Sequence, residues 1–122
     1  MGAKGVNMEK GPENKRLLEL IGQLRKANKG IWKKAADELS KPTRRRPEVN
    51  VSKIERYAKD GSVILVPGKV LGSGFVTKKV TVAAFNFSGT AKANIAKSGG
   101  KTIHISQLLS ENPQGKDVLI LI

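Results

Sequence analysis

This sequence predicts an α/β fold: an N-terminal helical segment, then a small mixed sheet with short helices. Three observations predict it. Apolar residues recur at helical spacing between residues 14 and 39. Four short apolar runs of strand length follow, at Ser62–Val66, Val80–Phe85, Thr102–Ile105 and Val118–Ile122. Turn-forming stretches and short helix-like segments separate those runs, which is the alternation an α/β domain requires.

Residues 1–12 are glycine-rich, polar and basic, without apolar periodicity, and predict a flexible extension. Residues 13–122 are of a length suited to one globular domain. Asn14 is placed to cap a first helix carrying Leu17, Leu20, Ile21 and Leu24 on one face. Asn28-Lys29-Gly30 ends it. Trp32, Ala35, Ala36 and Leu39 then form the inner face of a second helix, with Lys33, Lys34, Asp37 and Glu38 turned outward. Pro42 and Pro47 bound an extended segment, because proline cannot continue a helix and disfavours helical geometry before it. Ser52-Lys53-Ile54-Glu55 has the spacing of a capping box and predicts a short helix to about Lys59. Asp60-Gly61 turns into the first apolar strand. Pro67 closes that strand and opens a glycine loop, Pro67–Gly74. The strand Val80–Phe85, a turn at 86–89, a helix over 90–96 stopped by Ser98-Gly99-Gly100, a strand at 102–105, one helical turn at 106–110 and a last buried strand complete the order.

Charge narrows the function. Lysine and arginine number 23 against 10 acids, a formal net charge of +13. The excess is spread: 16 bases against 8 acids in residues 1–60, and 7 against 2 in residues 61–122. A basic tail on a neutral body would be distributed otherwise, so the folded part itself is suited to a polyanion. Cysteine is absent, which excludes disulfides, thiolate metal sites and cysteine nucleophiles. The single histidine, His104, has no partner in the sequence for a metal site. No apolar run approaches the ~20 residues of a membrane span, and residues 1–12 lack the apolar core of a secretory signal.

Arg44-Arg45-Arg46 is the strongest contact candidate. Each guanidinium is a planar fork that matches a phosphate, and an extended backbone alternates their directions. The lysine pairs Lys33-Lys34 and Lys78-Lys79 join it on global charge, although exposed lysine pairs are commonly plain surface. In the glycine loop, Lys69 with Gly72, Ser73 and Gly74 combines a cation with a backbone able to turn tightly or let a partner approach; contact with RNA is the expected role. Two enzyme readings of the glycines fail. Thr77 stands where a dinucleotide fingerprint needs its third glycine, and Ile95 stands where a phosphate-cradling loop ending at Gly100-Lys101-Thr102 needs its first. The few aromatics include Trp32, Phe85 and Phe87, all expected in the core, and no base-stacking signature is present. Recognition is therefore expected through phosphates, sugars and RNA shape.

The order Val-Pro-Gly-Lys-Val-Leu-Gly-Ser-Gly (66–74), Val-Thr-Val-Ala-Ala (80–84), Phe-Ser-Gly-Thr-Ala (87–91) and a late Asn112-Pro113 with Gly115 resembles the large-subunit ribosomal protein family called eighteen-e in archaea and eukaryotes, related in fold to bacterial large-subunit protein fifteen. The resemblance runs from about Asn14 to the C-terminus and is densest in the middle third. It implies an irregular winding of strand, strand and helix units. It also implies a structural role in the large subunit, binding ribosomal RNA beside neighbouring ribosomal proteins in the cytoplasm, with no catalysis, cofactor, metal, membrane or small-molecule substrate. Two other classes share part of the signal: a general nucleic-acid-binding or DNA-compacting protein, and a small nucleotide-dependent enzyme.

Overall fold

In the computed structural model the described residues are 12–27, 29–42 and 45–122. The extension expected over residues 1–12 lies outside them, save that Pro12 opens helix α1 (Pro12–Ala27). A proline suits the first helical position, where its missing N–H has no partner to lose. The helix thus begins two residues before Asn14, whose side chain lies outside the described residues.

Helix α1 buries Leu17, Leu20 and Leu24, and helix α2 (Gly30–Leu39) buries Trp32, Ala35, Ala36 and Leu39, as their spacing predicts. Trp32 is fully enclosed and its indole N–H donates to the Pro113 carbonyl at 2.8 Å, so the ring is satisfied at both its apolar and polar ends. Glu38 departs from the outward face expected of it. It is 5% exposed and lies between Lys34 at 3.0 Å and Lys41 at 2.8 Å. The Lys41 ammonium, then that of Lys34, hold its carboxyl below the usual carboxylate range.

The sheet starts with a strand that sequence patterning does not reveal, β1 (Glu48–Asn50), just after the basic segment. Helix α3 (Val51–Tyr57) follows directly, with Asn50 at its N-cap. The capping box expected at Ser52–Glu55 does not form. The helix starts before Ser52, and Glu55 turns instead to Thr77, accepting from its N–H at 2.9 Å and its hydroxyl at 2.8 Å.

Strand β2 (Val63–Leu71) is longer than expected, because it continues through Pro67 and Gly68. A register shift against β3 (Thr81–Phe87) falls between Val66 and Lys69, which accommodates a proline that cannot donate to the ladder. Gly68 and Lys69 are thus strand residues rather than loop residues, paired with β1 through Lys69 and Glu48. Helix α4 (Gly89–Lys97) is capped by Ser88, whose hydroxyl accepts from the Ala91 N–H at 3.1 Å. Strand β4 (Lys101–His104), helix α5 (Ile105–Glu111) and strand β5 (Val118–Ile120) complete the chain.

The α/β class and the order of helices, sheet and short helices are as expected. In finer detail, every strand pair is parallel rather than mixed. The order is β1-β2-β3-β4, with β5 beside the first half of β2 and β1 beside its last three residues. Residues 72–80 supply the reason. They do not form a hairpin turn but run back across one face of the sheet, burying Val76 and Val80, so β3 starts at the same end as β2.

Alternation within β2 and β3 splits the core in two. Ile64, Val66, Val82 and Ala84 face α3, α4 and the crossover; Leu65 and Ala83 face α1, α2 and α5. A sheet covered on both faces explains why its central strands are continuous apolar runs. Phe85 and Phe87, expected on one face, pack against opposite clusters.

Candidate nucleic-acid interface

In an open parallel sheet, polar groups converge outside the carboxyl ends of the strands, where successive connections leave to opposite faces. That arrangement exists here between β3 and β4. The chain leaves β3 into α4 on one face, and leaves β4 into α5 on the other. A cleft of 290 Å³ opens at this point, lined on its polar side by Asn86, Lys92, Thr102, His104 and Gln107. A second cleft, of 190 Å³, shares Phe85 and Asn86 with it and is lined by Arg46, Glu48 and Lys69. Two sequence-predicted cations, Arg46 and Lys69, thus meet on one edge of the sheet, and Lys92 extends that edge.

Arg45 and Arg46 are each tied back to a residue that follows α2. The Arg45 N–H donates to the Pro42 carbonyl at 2.8 Å, and the Arg46 Nε donates to the Lys41 carbonyl at 3.0 Å. Arg45 is exposed and Arg46 half-buried. Arg44 lies outside the described residues.

The other candidates are elsewhere. Lys33 and Lys34 lie on the outer side of α2, with Lys34 bound to Glu38. Lys78 serves the fold itself. Its ammonium donates to the carbonyls of Glu55 and Ala58, both at 2.8 Å, and so closes the C-terminal end of α3. Lys79 is exposed, and its N–H donates to Asp60 at 2.9 Å.

Gly72, Ser73 and Gly74 begin the crossover. The close approach their backbone permits is to their own chain. A Cβ on Gly72 would lie 2.6 Å from Thr90 Cγ2, and one on Gly74 would lie 2.7 Å from Ser52 Cβ. Gly74 also has φ +88°, a conformation that favours glycine. The Asn94 amide donates to the carbonyls of Gly72 and Gly74, each at 3.2 Å, and the Ser73 carbonyl accepts from the Ser52 N–H at 3.4 Å. The Gly100-Lys101-Thr102 stretch enters strand β4, whereas a phosphate-cradling loop leads into a helix.

His104 sits at the N-cap of α5. Its Nδ1 accepts from the Ser106 N–H at 3.2 Å and lies 2.9 Å from the Ser106 hydroxyl. That acceptor role fixes the neutral tautomer with its proton on Nε2. Burial, and more weakly the Arg16 charge, push the imidazole below its ordinary value. Its ring lies 5.9 Å from that of Phe85, tilted by 59°. Among the described residues no three His, Asp or Glu side chains gather as a metal site, and no helix is long and apolar enough to cross a membrane.

Two surface aromatics escape the sequence reading: Phe75 is 69% exposed and Tyr57 54%. A signal for Phe75 was available, since it follows the glycines outside any apolar periodicity.

The family described as "Ribosomal protein 60S L18 and 50S L18e" matches residues 12–122. The chain belongs to this family. Among its relatives, the "Large ribosomal subunit protein eL18" of Methanococcus maripaludis is 51% identical over 112 residues, covering 88% of this chain and 93% of the relative. The protein of the same name from Archaeoglobus fulgidus is 48% identical over 103 residues, covering 84% and 88%. That from Halobacterium salinarum is 44% identical over 110 residues, covering 87% and 94%. Family membership thus covers every described element, from α1 to β5.

Proposed function

We propose that this protein is a structural constituent of the large ribosomal subunit that binds ribosomal RNA through phosphate and shape contacts, in the cytoplasm, beside neighbouring ribosomal proteins and without a reaction of its own. Family membership over residues 12–122 carries this reading. Charge and geometry support it. Of net charge +13, the chain places Arg46, Lys69 and Lys92 around two adjoining clefts at one edge of a rigid parallel sheet. The scaffold sets where these cations stand, and each can meet a phosphate there with a charge-assisted hydrogen bond. In this reading residues 13–122 form the RNA-binding body, and residues 1–12 a basic extension to it.

The candidate cations fall into two groups. Arg44, Arg45, Arg46 and Lys69 form the main phosphate-binding group, with Lys33 and Lys79 as further cations. Lys34 and Lys78 act mainly inside the protein, on Glu38 and α3 respectively. Gly72, Ser73 and Gly74 hold the crossover in place for whatever it presents.

The test is competition at fixed salt between deproteinised large-subunit ribosomal RNA and duplex DNA of equal phosphate concentration. Binding that prefers the RNA by about tenfold or more, a difference of ~1.4 kcal/mol, supports the proposal. Equal affinity for the two polyanions indicates a general nucleic-acid-binding protein, and overturns it.

A further inference from the structure

Phe75 is the most exposed large apolar side chain among the described residues, yet the backbone on both sides of it is tied down. On one side Gly74 has φ +88°, with its carbonyl held by Asn94. On the other Val76 is buried, and Thr77 is gripped twice by the Glu55 carboxylate. Lys78 then locks the crossover to the end of α3. None of these contacts uses the Phe75 ring. A crossover that only had to connect β2 to β3 would be served by a polar residue at this position.

The chemistry around it selects the partner. Helices α3 and α4 and the crossover carry Lys53, Arg56, Lys78, Lys79, Lys92 and Lys97, of which Lys53 donates to the Ile122 carbonyl and Lys78 to the end of α3, against Glu55, whose two carboxylate oxygens are engaged by Thr77. An exposed flat ring on a clamped backbone, in a segment packed against Ser52 of α3 and Asn94 of α4, two cation-bearing helices, suits a π-faced group inside a polyanion. We propose that Phe75 stacks on an unpaired nucleobase of the RNA this protein binds. The inference rests on the ribosomal RNA reading and adds a base contact to it, where composition alone suggests phosphate and shape. The ring brings only two side-chain torsions to order, and the clamped backbone has little freedom left to lose.

The experiment measures binding of wild type, Phe75→Ala, Phe75→Leu and Phe75→Trp to deproteinised large-subunit ribosomal RNA across a series of salt concentrations. Stacking on one base predicts that Ala and Leu each weaken binding by about 5- to 150-fold, while Trp holds affinity near wild type. Because no ionic contact is lost, the slope of log affinity against log salt stays unchanged in all three. Thermal melting should be unchanged as well, since the side chain is exposed, which separates a binding loss from unfolding. Wild-type affinity in Phe75→Ala overturns the inference and leaves RNA binding standing. Full affinity in Phe75→Leu overturns it too, because an aliphatic side chain satisfies an apolar protein pocket but not a stack. If the wild-type protein itself fails to bind this RNA, the ribosomal reading falls first and the stacking inference with it.

Discussion

Replacing Gly74 with valine tests the account of the crossover. Two costs add. The first is conformational: φ +88° is a region that a β-branched residue adopts only with strain, on the order of 1–3 kcal/mol. The second is steric. The new Cβ would lie 2.7 Å from Ser52 Cβ, where carbon atoms prefer about 3.5–4.0 Å. Ser52 sits in α3 with its N–H bonded to the Ser73 carbonyl, so relief requires moving the crossover away from the helix. Overpacking of this kind costs about 1–3 kcal/mol. The sum, about 2–6 kcal/mol, lowers the melting temperature of a domain this size by roughly 8–24 °C. Calorimetry at pH 7 reads it directly. Gly22→Ala is the opposing control. Gly22 is exposed inside α1 with nothing within 4 Å of its would-be Cβ, so alanine should stabilise by about 0.5–1 kcal/mol. A Gly74→Val protein melting within a degree of wild type would refute the claim that this glycine is required by its backbone and its neighbour.

Three further outcomes are expected. Thr77 holds the Glu55 carboxyl below the ordinary carboxylate value, so its contribution is present above about pH 4.3 and is lost as pH falls through the lower folded value; acid titration followed by urea unfolding should show a shallower loss in Glu55→Gln. His104 is also held below its ordinary value, so between its folded value and about 6.5 the unfolded chain binds the extra proton and stability falls as pH falls; His104→Asn, which retains a capping acceptor without titrating, should flatten stability as pH falls below about 6.5. Alanine at Arg45, Arg46 and Lys69 together should reduce the slope of log RNA affinity against log salt by about 2, at ~0.7 per single-strand phosphate, with the fold intact by circular dichroism; an unchanged slope would remove these residues from the interface.

How far the sequence could be read depended on the range of the interaction. Period and burial are local, so both N-terminal helices, the Trp32 face and the apolar strands Ile64–Val66 and Val82–Ala84 were legible. Strand direction was not, because it depends on where residues 72–80 travel, and a glycine-rich stretch reads equally as a tight turn or a crossover. Strand β1 is too short to carry a pattern and owes its existence to Leu71 and its neighbours. The Ser52–Glu55 capping signal failed because Glu55 found a better partner 22 residues away in Thr77. For the same reason Lys78 read as a surface cation, since nothing in its neighbourhood names the α3 carbonyls it meets. The basic segment was legible as charge, whereas its junction with Lys69 and Lys92 at one edge required the folded sheet.

The central claim, membership of the large subunit as an RNA-bound structural part, is tested most directly by sedimentation. A tagged copy is expressed in an archaeal host, and the lysate is separated on a sucrose gradient after a high-salt wash. The account predicts that the protein migrates with the large subunit, in fixed proportion to its RNA, and is released when that RNA is digested. A protein found at the top of the gradient or with the nucleoid, and absent from washed large subunits, would contradict it.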